Sequence, residues 1–156
     1  AALERLEAFN RDHAHLIRPF TGAALMLEKL KRQGARLAVW TGRDRATTEE
    51  LMAVHALAPF FDSVICGDDL PTHKPDPEGL RTILARLGLA PTEAILVGDA
   101  DVDVLGGAAC AVDTVLIRHA RVIEAAVGEK AWRSVGSPFE AYELLLAEVA
   151  GPATAG

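Results

Sequence analysis

Short apolar runs, most of them closed by glycine and separated by helix-length segments, constrain the fold of this chain more than any other feature. The stretches "ARLAVWTGR", "FDSVICGDD", "EAILVGD" and "DTVLIR" each hold an uninterrupted block of β-favouring apolar residues. A strand buried on one face alternates apolar with polar side chains, whereas an uninterrupted block is buried on both faces. Between these blocks, apolar residues recur at helical spacing. Strands of this kind alternating with helices predict a parallel α/β sheet covered by helices on both sides.

The spacing predicts the elements in order. A helix over residues 2–16 places Leu3, Leu6, Phe9, His13 and Leu16 on one face, and Pro19 ends it. A second helix, 22–33, is expected to start from a Thr21 cap and close at Gly34. Strand 35–41, helix 45–57 and strand 62–66 follow. Helix 77–87 has Pro77 in its first turn and Gly88 after its end. Strand 93–99, a short helix 103–111 and strand 113–118 come next. A helix near 122–127, a short edge strand in "WRSVGS" and a helix over 139–149 complete the series. The tail "GPATAG", 151–156, is expected to fray.

With 156 residues the chain suits one domain, and half of it is hydrophobic. The net charge is −6 with no Lys/Arg cluster, which argues against nucleic-acid binding. No apolar stretch approaches the roughly 20 residues of a membrane span. The N-terminus reads as an amphipathic helix rather than a secretion signal. The expectation is a cytoplasmic protein with no membrane partner. Cys66 and Cys110 lie in apolar runs and are expected as buried, reduced thiols.

In an open parallel sheet, ligands collect outside the carboxyl ends of the strands. Three kinds of polar residue fall there. Thr41 and Gly42 offer a hydroxyl and a closely approachable N–H, which suit a phosphate oxygen; the alternative is that Thr41 only caps the next helix. Lys74, in the proline-bounded loop "THKPDP", is an ammonium for an anion or an ordinary surface lysine. Asp99 and Asp103 follow the third strand, one helical turn apart, and repel unless a cation lies beside them. Hard oxygen ligands at a loop favour magnesium; the alternative, carboxylates favoured by the dipole at a helix start, accounts for one aspartate better than for three. Asp101 can cap the helix instead. His73 is an ordinary loop histidine or orients the lysine loop. Arg43 and Arg45 are candidates for meeting an anion, or are solvated. His13, His15, His55 and His119 show no metal-ligand spacing and read as structural.

Taken in order, "LAVWTGR", "HKPDPEGL" and "ILVGDADVDVLGGAACAV" resemble the second, third and fourth motifs of the haloacid dehalogenase superfamily, nearest its phosphoglycolate-phosphatase-like branch. The resemblance covers roughly residues 20–149. It implies a Rossmann-like core and magnesium-dependent hydrolysis of a small phosphorylated metabolite through an aspartyl-phosphate. Thr41 would hold the transferring phosphoryl group with Gly42 lending its N–H. Lys74 would balance the negative charge, Asp99 would ligate Mg²⁺, and Asp103 would support that site. Thr41, Lys74 and Asp103 are thus the expected catalytic residues.

The family's first motif, a strand ending in Asp-x-Asp-x-Thr/Val, is not found. Asp12 lies in a helical stretch, Asp44 follows the second motif, and "GDD" at 67–69 is followed by Leu-Pro. The resemblance therefore implies residues 1–20 as a remnant of a helical cap, 21–150 as the core and 151–156 as a tail. The nucleophile strand, central in the family's sheet, and most of the cap are expected upstream of Ala1. The chain alone is then expected to be marginally stable, prone to self-association and inactive. A non-catalytic phosphate-binding or oligomerisation module is the alternative function. A true dehalogenase is disfavoured by the Asp99 and Asp103 pair, since that displacement needs no metal. A receiver-type signalling domain has its carboxylates first and its lysine last, the reverse of the order here.

Overall fold

A computed structural model of the chain describes residues 16–150. Nearly all of the helix expected over 2–16, and the tail 151–156, lie outside them. The described elements alternate as the apolar pattern predicts. They run α1 (Ala23–Arg32), β1 (Ala38–Trp40), α2 (Arg45–Val54), β2 (Ser63–Ile65), α3 (Glu78–Leu87) and β3 (Ile95–Gly98). Then come α4 (Asp101–Ala109), β4 (Asp113–Ile117), α5 (Ala125–Gly128), β5 (Arg133–Val135) and α6 (Pro138–Ala150). Every strand pairing is parallel.

Most boundaries are tighter than expected. Strand β1 is only three residues of the predicted 35–41, because the N–H groups of Ala35 and Leu37 are taken up outside the ladder. The Ala35 N–H closes back on Leu30 O, and the Leu37 N–H donates to the Asp62 carboxylate at 2.8 Å. The expected Thr21 cap is not made: Gly22 stands at the helix start with φ 83° and no side-chain cap. Helix α3 starts one residue late, with Pro77 as its cap residue.

The strands form two sheets rather than one: β1 with β2, and β3, β4, β5 in that order. In β4, Thr114, Val115 and Leu116 are all buried. Successive side chains of a strand point to opposite faces, so both faces of this sheet are covered. Leu116 joins Val104 of α4 and Val127 of α5 in one core cluster. Helix α6 packs on β4 and β5 as well as on α1. On the other sheet, α3 packs against β1 and β2, and Leu80 and Leu84 form a second cluster with Cys110 and Val112. Among the described residues no helix is long and apolar enough to cross a membrane.

The facing edges of β1 and β3 do not pair. Val39 and Trp40 on one side and Leu96 and Val97 on the other line a cavity of about 690 Å³. Leu30, Leu84 and Tyr142 close it from the helices. Burial there raises the Tyr142 hydroxyl above its ordinary range.

Candidate active site

The carboxyl ends of β1 and β3 open on one cleft, lined by Thr41, Gly42, Lys74, Asp99 and Asp103 together with His73. The five residues singled out from three distant stretches of sequence thus share one rim. Lys74 links its two sides. Its Nζ donates to the Trp40 carbonyl at 2.7 Å and to Asp103 Oδ1 at 2.7 Å. The Lys74 side chain is 16% exposed and that of Asp103 8%, so the pair lies largely out of water. It joins the two sheets, since Trp40 ends β1 and Asp103 follows β3. The peptide bond from Lys74 to Pro75 is cis.

Local sequence explains how Asp103 reaches this position. It is the third residue of α4, and its Oδ2 accepts the Ala100 N–H at 3.0 Å. A side chain at residue 98 would run into the Asp103 carboxylate, so Gly98 is what lets the helix start fold back on the strand end. Asp101 does not cap the helix, because it is already the first helical residue and Asp103 makes the capping bond. The alternative for Thr41 is also settled. Helix α2 is capped by Asp44, which accepts from Thr47 N at 2.9 Å and from Thr47 Oγ1 at 2.8 Å. Thr41 instead accepts the Arg43 N–H at 3.1 Å and sits beside Gly42 on the cleft.

A second clamp fixes the turn that carries Thr41 and Gly42. The Gly67 N–H donates to Arg43 O at 2.7 Å. Arg45 reaches Asp69 through Nε at 2.8 Å and Nη2 at 2.5 Å, and Asp69 also accepts the Cys66 N–H at 2.7 Å. The guanidinium beside Asp69 holds that carboxyl below its usual range, and Arg45 is raised in turn, chiefly by Asp69. Arg45, though still partly exposed, is therefore tied up rather than free for substrate: it also binds Glu49 and the Val64 carbonyl. Cys66 and Cys110 are buried free thiols, pushed up by burial.

Asp99 is unlike Asp103. Its side chain is 68% exposed, with His119 Nε2 3.9 Å away. Arg121 donates to the Asp99 backbone carbonyl and lies 3.9 Å from Asp101 Oδ1, a buried oxygen with no hydrogen-bond partner. His119 and Arg121, both in the loop after β4, were not among the expected site residues, because neither stands in a recognisable spacing. Trp40 was missed for the opposite reason: inside an apolar run it reads as core.

Magnesium takes oxygen donors, commonly one or two carboxylates supplemented by substrate oxygens and water. Asp99, accessible on the cleft, fits that role, whereas Asp101 does not line the cleft and its buried oxygen lies towards Arg121. Among the described residues no group of three or more His, Cys, Asp or Glu side chains is arranged to hold a metal. The donor set thus fits a cation shared with a phosphate ligand better than an all-protein cage.

The profile of the haloacid dehalogenase-like hydrolases matches residues 2–117. The chain belongs to this family. Among curated proteins it is similar to pyrophosphatase PpaX of Bacillus velezensis, 39% identical over 101 residues, covering 64% of this chain and 47% of that protein. It is also similar to the plasmid phosphoglycolate phosphatase of Cupriavidus necator, 34% identical over 122 residues, covering 76% and 53%. The chain spans about half the length of these curated relatives. Among solved structures it resembles a haloacid dehalogenase-family phosphatase from Thermococcus onnurineus, with a TM-score of 0.77 and 25% identity over 90% of this chain and 64% of that one.

Proposed function

We propose that this chain carries most of the core of a magnesium-dependent phosphatase of a small phosphorylated metabolite, working through an aspartyl-phosphate. The observation that carries this reading is the Lys74 ammonium, bonded to Trp40 O and Asp103 on a cleft that Thr41, Gly42 and Asp99 share. The kinship with a pyrophosphatase and a phosphoglycolate phosphatase supports the substrate class.

Each residue then has a part. The Thr41 hydroxyl and the Gly42 N–H bind phosphoryl oxygens, held in place by the clamp from Gly67 and Asp69. Lys74 offsets charge on the phosphoryl group as it transfers. Asp103 and the Trp40 carbonyl fix the lysine. Asp99 holds the magnesium ion, which when bound neutralises phosphoryl oxygens. The attacking carboxylate belongs on a parallel strand laid between β1 and β3, whose facing edges are unpaired among the described residues and lead to the same rim. This chain by itself then binds phosphate without turning it over.

Titration calorimetry with inorganic phosphate and Mg²⁺, alongside phosphate release from p-nitrophenyl phosphate, tests the reading. Binding that is lost in Thr41→Ala and absent without Mg²⁺, with no release, is expected. Absence of binding would overturn the site. Steady release abolished by Asp99→Ala would overturn the claim that the chain is inactive alone. The open edges of β1 and β3 also favour a second reading, a phosphate-binding module that self-associates through them. Sedimentation of a monomer at all concentrations would remove it.

A further inference from the structure

Trp40 does more at the rim than lend its carbonyl. The Lys74 Nζ lies 4.6 Å from the centroid of its ring. An ammonium has three N–H donors. Two are used by Trp40 O and Asp103 Oδ1, and the indole face offers the remaining side a region of negative potential. Two helices make room for the ring. A Cβ on Gly79 of α3 would strike its Nε1 edge, and one on Gly106 of α4 would come within 2.7 Å of its far edge at Cη2. The indole is therefore gripped at both ends by side-chain-free positions on different helices. Packing against the cluster of Leu80, Leu84, Cys110 and Val112 holds the rest of it.

We propose that the Trp40 ring, seated between Gly79 and Gly106, is a positioning residue that holds the Lys74 ammonium on the cleft and so sets the affinity of the rim for phosphate. This deepens the phosphatase reading and rests on it for its ligand, though not for the contact itself. A bare apolar residue of similar fit would keep the core filled but leave one side of the ammonium without an electrostatic partner. The lysine would then sample other rotamers.

The test separates ring from filler. With inorganic phosphate and Mg²⁺ as the probe, Trp40→Phe should bind within about threefold of the unaltered chain, and Trp40→Leu about tenfold more weakly. Gly106→Ala keeps every polar group yet displaces the ring, and should weaken binding similarly. It also carries the test if Trp40→Leu does not fold. Equal affinity in folded Trp40→Leu and Trp40→Phe, or unchanged affinity in Gly106→Ala, would overturn the proposal. A second arm needs no ligand. The chain has two tryptophans, so Trp132→Phe leaves Trp40 as the sole tryptophan, read with excitation at wavelengths that tyrosine does not absorb. Adding Lys74→Met should then change its emission intensity and maximum, and identical spectra would overturn the contact. Failure of phosphate binding in the unaltered chain, with the spectral change intact, would sink the phosphatase reading while leaving the ring contact standing.

Discussion

Strand β4 lies between β3 and β5, and its Thr114, Val115 and Leu116 are 1%, 0% and 0% exposed. Among the described residues strand β1 pairs on one edge only, and Ala38, Val39 and Trp40 are all half-buried. Both are continuous apolar runs in sequence. The difference lies in their neighbours: β4 has a parallel partner on each side, while the free edge of β1 faces the cavity it shares with β3. An apolar run thus records the burial a strand is built for. The partner it meets decides how much burial it gets.

The largest break in this comparison should come from the buried ion pair that ties the two sheets. Lys74→Met removes the ammonium that joins Trp40 to Asp103 and leaves a buried carboxylate without its cation. Loss of about 3 kcal/mol is expected in urea unfolding, partly recovered by adding Asp103→Asn. A loss below about 1 kcal/mol would mean that the sheets are held together elsewhere.

A matched pair of substitutions sharpens the contrast. Val115→Ala in β4 should cost about 2–3 kcal/mol, the lost transfer energy plus a cavity. Val39→Ala in β1, half-buried against the cavity, should cost about 1 kcal/mol or less. Equal costs would show that β1 is as fully packed in solution as β4.

The smallest effect is expected with pH. On the β1–β2 side two carboxylates are held below their ordinary value of 3.8: Asp62 by the Leu37 N–H and then by Lys31, Asp69 chiefly by Arg45. A carboxyl depressed in the folded state adds stability that is present in full above its unfolded value. That stability is lost as pH falls through the folded one. Acidification below about pH 4 should therefore loosen β1 and β2 before β4. Glu140 is also depressed, by Gly136 and Ser137 at the start of α6, but it is an exposed contact at the edge of the other sheet. NMR signals of Val39 and Ile65 should broaden ahead of those of Leu116. Simultaneous loss would show one cooperative unit.

The order and parallel character of the strands, the helices between them and the grouping of Thr41, Lys74, Asp99 and Asp103 at strand ends were legible in the sequence. Each rests on local information: an unbroken apolar block, a glycine at its end, a proline-stiffened loop. What the residues bind was not. The sequence alone left Thr41 between cap and ligand, read Trp40 as core, and left Arg45 open between solvent and an anion. It grouped Asp103 with Asp99 at a cation site. Tertiary structure separated the two aspartates, burying Asp103 on Lys74 and leaving Asp99 exposed. It tied Arg45 to Asp69 and seated the Trp40 ring between two helices. Local periodicity fixes how a segment turns its side chains. Which charge meets which depends on segments tens of residues apart reaching the same rim, and no spacing along the chain encodes that.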